Sequence, residues 1–181
     1  LDKSIQQFIK RYLNRNAILW LVFSILGLFA LYLIQGKNYL LFHTVVELLG
    51  IVPSFMMALI VILVWQHLEG NNFLRLLGIA FFFIGAIDLI HILAYTGMPI
   101  FLGFDSNLPT QLWILARYVQ MISLLIGCAL ISIKIQINPI HIFAIYTLIV
   151  GVALLSIFKW QNFPVCFVEG QGLTPFKIIS E

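Results

Sequence analysis

Apolar positions run along the chain in five long blocks, each closed by a short polar or glycine- and proline-bearing stretch. The blocks extend from about Ala17 to Ile34, Leu40 to Trp65, Phe73 to Tyr95, Pro109 to Ile133 and Pro139 to Phe158. Each holds roughly 18–26 residues, enough helix to cross ~30 Å of hydrocarbon at 1.5 Å per residue. Lipid offers a backbone no hydrogen-bond partners, so the pattern predicts five transmembrane helices. Ahead of them, residues 3–15 (KSIQQFIKRYLNR) put Ile5, Phe8, Ile9, Tyr12 and Leu13 at i, i+3, i+4, i+7, i+8. That spacing with a basic opposite face predicts an amphipathic helix at the membrane surface. The first block is too long for a signal peptide and no cleavage site follows it, so a retained anchor is expected. Residues 160–181 form a polar segment after the last block. The predicted class is all-α, a polytopic helical membrane bundle.

Composition sharpens this. The chain is 62% hydrophobic and 9% charged over 181 residues, with a mean hydropathy of +1.06. Soluble domains are about 25% charged, so a water-facing exterior is excluded. The net charge of +3 is no nucleic-acid footprint, because the basic residues are scattered between blocks. Cys128 and Cys166 form no CxxC and no disulfide framework. The chain begins on Leu1 and ends on Glu181 within a polar stretch, so it is read as part of a longer protein.

Basic residues also predict sidedness. Lys3, Lys10, Arg11, Arg15, Arg75 and Lys134 fall on one side, and Lys37, Lys159 and Lys177 on the other. The richer side is expected to be cytoplasmic, with the N-terminus inside. Five spans then leave Glu181 outside, so a cytoplasmic output needs at least one further span.

Three charges fall within blocks: Glu47, Asp88 and Arg117, joined by His43 and His91. Helical rise puts His43 and His91 about 5–6 Å below the outer interface, Glu47 and Asp88 about 10 Å, and Arg117 about 12 Å. Intramembrane ionisable groups are functional candidates by default. His43 and Glu47 are i, i+4. Asp88 and His91 are i, i+3, and His91 and Tyr95 are i, i+4. Trp113, Arg117 and Gln120 share a face. Gly50 and Ser54 continue the His43/Glu47 face and are expected to admit a neighbouring helix. Pro53 is expected to free the Leu49 carbonyl and kink the second span.

Two imidazoles and two carboxylates make a ligand set for Zn, Cu, Fe or Mn on His43, Glu47, Asp88 and His91. Arg117 suits an anion or a carboxylate, and an Asp88–Arg117 pair that merely fixes helix register is the plain alternative. His43 and His91 also suit the axial positions of a haem. A relay through Glu47, Asp88 and Arg117 would serve a proton or ion transporter, but no ionisable group continues the path inward. HExxH and hydrolase constellations are missing, so no catalytic residue is assigned. His67 and His141 read as interfacial histidines, and Phe81–Phe83 as packing or lipid-facing residues. Trp20, Trp65 and Trp160 in part make an aromatic belt. Asp105-Ser106-Asn107 makes a turn before Pro109. The loop at Glu169-Gly170-Gln171-Gly172 is a turn that also suits a lid over the polar layer.

FHTVVELLGIV (42–52), LGIAFFFIGAIDLIHILAYTGM (77–98), LPTQLWILARYVQMISLL (108–125) and CFVEGQGLTPFKIISE (166–181) resemble the bacterial membrane-associated sensor domain of the third type in the MASE series. That resemblance covers most of the chain after the first helix. Its motif positions fall on His43, Thr44, Glu47, Asp88, His91, Tyr95, Pro109, Thr110, Gln111, Trp113, Arg117 and the Glu169–Pro175 loop. It implies an input domain, with further helices and a cytoplasmic histidine kinase or diguanylate cyclase beyond residue 181. It supplies no stimulus.

The expected function is sensory input, with no catalysis in residues 1–181. An extracytoplasmic small ligand or ion would contact His43, Glu47, Asp88, His91, Tyr95, Gln111, Trp113, Arg117 and Glu169. The expected partners are the lipid bilayer and a second copy joined through the output region, with no nucleic acid. The expected location is the bacterial inner membrane, crossed several times.

Overall fold

A computed structural model describes residues 3–131 and 138–181, with side chains for residue 5 and from residue 16 onward. Five of its helices are long and apolar enough to cross a membrane, which makes this an all-α, multi-pass membrane protein. The chain divides into two compact units, residues 1–45 and 46–181.

The first unit is dominated by α1, Lys3–Lys37. The surface helix and first span expected as separate elements are one continuous helix. No proline or glycine separates them, so backbone hydrogen bonding has no reason to stop. The apolar face expected from Phe8 to Leu13, and the charges of Lys10, Arg11 and Arg15, lie outside the described side chains. From Ile18 to Leu33 the large apolar side chains of α1 other than Leu31 are exposed, as befits a helix solvated by lipid. Helix α2, Tyr39–Leu63, starts at Asn38, whose Oδ1 accepts from the Leu41 N–H at 3.0 Å. Thr44 Oγ1 donates back to the Leu40 carbonyl at 2.8 Å.

The second unit holds the rest of α2 with α3 (Asn72–Ala94), α4 (Asn107–Leu130) and α5 (Pro139–Phe158). Helix α2 continues through Pro53. It stops two residues before Trp65, which lies in a 3₁₀ turn, Trp65–Leu68, instead of ending the span. Helix α3 is the buried centre of this unit. Its Ile79, Ala80, Phe83, Ile84 and Ile87 share a core with Leu108, Leu112, Leu115, Ala116 and Val119 of α4. Helix α5 contributes Val150 and Ile157 and leaves most of its surface exposed. The expected end of the fourth span at Ile133, and Lys134, lie outside the described residues.

Without a hydrophobic force between helices in lipid, close backbone approach at small residues drives their packing. A Cβ on Gly78 would overlap the Val61 side chain, and one on Gly85 would sit 3.3 Å from Ser54 Cβ. A Cβ on Gly127 would sit 2.9 Å from the Phe73 ring. Ser54 is therefore the small residue of α2 that admits α3. Gly50 is not, since a Cβ there meets nothing within 4 Å. Phe83 is a packing residue, with ring centroids 5.0 Å from Phe143 and 5.5 Å from Tyr146, whereas Phe82 is partly exposed.

After α5 the chain forms a two-stranded hairpin, β1 (Phe167–Val168) with β2 (Gly172–Leu173), and then the short helix α6 (Pro175–Ser180). Gly170 turns the hairpin at φ 77°, a conformation that suits a residue without Cβ.

The polar layer between helices two, three and four

The turn before α4 is built as expected: Asp105 Oδ1 accepts from the Asn107 N–H at 3.0 Å. That starts α4 where Pro109 occupies its first turn, and it aims the Pro109 carbonyl at α3. His91 lies across from it, and His91 Nδ1 is 2.8 Å from the Pro109 oxygen. A carbonyl only accepts, so Nδ1 carries the proton. The lone pair of a neutral His91 is then on Nε2, which lies 3.8 Å from Glu47 Oε1. His91 is buried and Glu47 is about one quarter exposed. A nitrogen lone pair facing a carboxylate oxygen is repulsive unless a positive charge lies between them. That charge is either a proton or a metal ion. Fixing one imidazole nitrogen on a carbonyl so that the other points at a cation is the usual support for a metal-ligating histidine.

Asp88, one turn from His91 on α3, belongs to a different pair. Its Oδ2 is 2.6 Å from Arg117 Nη2, and Arg117 Nη1 donates to Gln120 Oε1 at 2.6 Å. The guanidinium already occupies the Asp88 carboxylate, which separates Asp88 from the expected four-residue metal set. A buried carboxylate in hydrocarbon costs about 3 kcal/mol or more unless compensated, and Arg117 compensates it.

His43 lies one helical turn before Glu47 along α2 and has its own ring stacked on Tyr39, centroids 6.4 Å apart. Tyr95 ends α3 and sets its ring edge-on to His91, centroids 6.4 Å apart. Trp113 takes Arg117 against its ring at 5.7 Å. Thr110 returns its hydroxyl to the Ser106 carbonyl.

Two expected site residues do not join the charged layer. Gln111 Nε2 donates to the Phe163 and Pro164 carbonyls, both at 3.1 Å, and so fastens the segment after α5 onto α4. Glu169 sits exposed at the hairpin turn between β1 and β2. A second tie on this segment lies one turn earlier on α4. Asn107 Oδ1 accepts from the Cys166 and Phe167 N–H groups at 2.8 and 3.0 Å.

Two cations expected as loop markers are buried. Lys177 of α6 places Nζ 3.8 Å from the centre of the Trp113 ring, and the same Nζ pairs with Glu181. Arg75 in the first turn of α3 lies over Trp65 at 4.8 Å and donates to the Trp65 carbonyl at 3.0 Å. Cation–π contact lets each charge leave water at a bundle edge. The signal available was a tryptophan near each basic residue's membrane level, which spacing along one helix does not reveal.

Beside this segment, burial pushes the Cys166 thiol up to about 11, against the opposing pull of Lys177. Such a thiol is protonated and inert at neutral pH.

Neither a curated protein nor a solved structure matches the chain. A family model does match, over residues 34–181, well over half of the sequence, and it takes in all the polar residues described above. The chain therefore belongs to the MASE3 family, the membrane-associated sensor domains.

Proposed function

We propose that this sensor domain reads a divalent metal ion from the extracytoplasmic side through Glu47 and His91. The observation that carries this is the direction of the His91 lone pair. Its proton is committed to Pro109, so Nε2 faces the Glu47 carboxylate at 3.8 Å. An imidazole nitrogen and a carboxylate oxygen are donors of the kind that suits Zn²⁺. A haem on His91 is disfavoured by the same geometry, since a carboxylate 3.8 Å from Nε2 leaves no gap for a porphyrin plane. Transport is disfavoured by α3 itself, where every residue between Arg75 and Asp88 is apolar or glycine over about 20 Å of helix.

Binding at Glu47 and His91 draws α2 toward α3 and, through the Pro109 carbonyl, toward the start of α4. The ion shifts the balance between two helix packings only as far as it binds one better than the other. In this account the N-terminus is cytoplasmic and the membrane is the bacterial inner membrane. Later helices carry the change to a histidine kinase or diguanylate cyclase shared by two copies of the chain. Zinc titration of the purified domain in lipid nanodiscs tests the site. Saturable binding that weakens at least about tenfold in both Glu47→Gln and His91→Ala is expected, as for loss of one ligand of a small set. Equal affinity in the wild type and both variants would remove the metal from the account.

A further inference from the structure

The Asp88–Arg117 pair borders a cavity of about 370 Å³ whose walls come from α2, α3 and α4. Its polar side is Glu47, Asp88, Arg117 and Gln120, and its apolar side includes Pro53, Met57, Phe81 and Ile84. Gly50 and Met57 on its α2 wall are exposed, so the cavity opens sideways at membrane depth. A size of a few hundred Å³, apolar walls and a few converging polar groups describe a small-molecule site.

The ion pair on its wall is half-made. An arginine presents Nε and one Nη on a single edge, and a carboxylate usually takes both through its two oxygens. Here Arg117 Nη2 holds Asp88 Oδ2, while Asp88 Oδ1 and Arg117 Nε are both buried with no hydrogen-bond partner among the described residues. Asp88 is 95% buried, with 5% relative exposure. One buried acceptor and one buried donor in the same ion pair each carry a desolvation penalty. A single hydroxyl group relieves both, because its oxygen accepts from Nε–H while its O–H donates to Oδ1. A carboxylate or phosphate would supply no donor for Oδ1, and an ammonium would supply no acceptor for Nε.

We propose that the cavity binds a membrane-soluble, hydroxyl-bearing apolar molecule, its hydroxyl bridging Arg117 Nε and Asp88 Oδ1 and its body lying on Pro53, Met57, Phe81 and Ile84. The cavity shares its Glu47 wall with the cation position at His91 Nε2, but the hydroxyl's own partners, Arg117 and Asp88, are not ligands of that cation. The ligand arrives through the bilayer, past Gly50.

Photolabelling of the domain in lipid nanodiscs with a diazirine-bearing decanol tests this, with the labelled residues identified by mass spectrometry. Decanol, decyl methyl ether and decane serve as competitors of equal chain length. Labelling of the cavity wall is expected, with decanol competing about tenfold better than the ether or the alkane, as one hydrogen bond to a charged group predicts. Gly50→Phe fills the cavity from a position where an added Cβ meets nothing within 4 Å, so the fold accepts it. It is expected to cut labelling at least about tenfold and to leave zinc binding intact. Equal competition by all three compounds, or undiminished labelling in Gly50→Phe, would overturn the proposal and leave the fork bridged by water only.

Discussion

At the scale of single residues, hydrocarbon makes every polar group consequential. Asp88 and Arg117 illustrate it, because each is tolerable only while the other is present. Asp88→Ala should cost about 3 kcal/mol, since it strands the Arg117 cation beside the α3–α4 core. The double variant Asp88→Leu with Arg117→Met should recover most of that loss. Thermal unfolding in detergent measures both, and a double variant no better than the single would mean that the pair is not a unit. Cys166 gives a second residue-level test. Its thiol is held near 11 by burial, above the ordinary 9.0. It should resist N-ethylmaleimide at pH 8 and become reactive only as pH rises toward 11. Fast labelling at pH 8 would show that the segment after α5 is not packed as described. Asp88, Arg117, Glu47 and His91 were legible in the sequence because they interrupt apolar blocks. Arg75 and Lys177 were not legible. A cation near a block's end reads as a loop marker, and only the fold reveals Trp65 and Trp113 covering them.

At the scale of elements, α3 organises the second unit through its glycines. Gly78→Leu should overpack against Val61 and destabilise the α2–α3 contact by about 1–3 kcal/mol. Gly50→Leu should be nearly silent in stability, as nothing lies within 4 Å of an added Cβ. Comparing the two by detergent unfolding separates a packing glycine from a lining one. Similar losses at both would contradict the assignment of close approach to Gly78 and not to Gly50. Element number and type were readable from block length, because a hydrocarbon slab of fixed thickness permits only helices of that length. The joined α1 was not, since a change from amphipathic to wholly apolar pattern marks a change of solvent, not a break in the helix. Of the two small residues expected to admit a neighbouring helix, Ser54 does so and Gly50 does not. Gly50 and Ser54 share a face, and sequence spacing does not reveal which of them meets a neighbour.

At the scale of the second unit, the segment after α5 and the helices are fastened through α4. Asn107 holds the hairpin's first strand, Gln111 holds Phe163 and Pro164, and Trp113 receives Lys177 from α6 and Arg117 from its own helix. Trp113 therefore links the polar layer to the segment outside it. Lys177→Met should loosen that link by about 1–2 kcal/mol, the worth of a desolvated cation–π contact. The expected result is faster proteolytic cutting within residues 161–174, and an unchanged cutting rate would show that Lys177 is not the anchor.

The face between Glu47 and His91 is the proposed receiver of the stimulus. The most direct measurement is output activity of the full-length protein in proteoliposomes, with zinc added only to the extracytoplasmic side. A zinc-dependent change in kinase or cyclase rate is expected, one that disappears in Glu47→Gln and His91→Ala while basal output persists. A response to zinc that survives in both variants would contradict it.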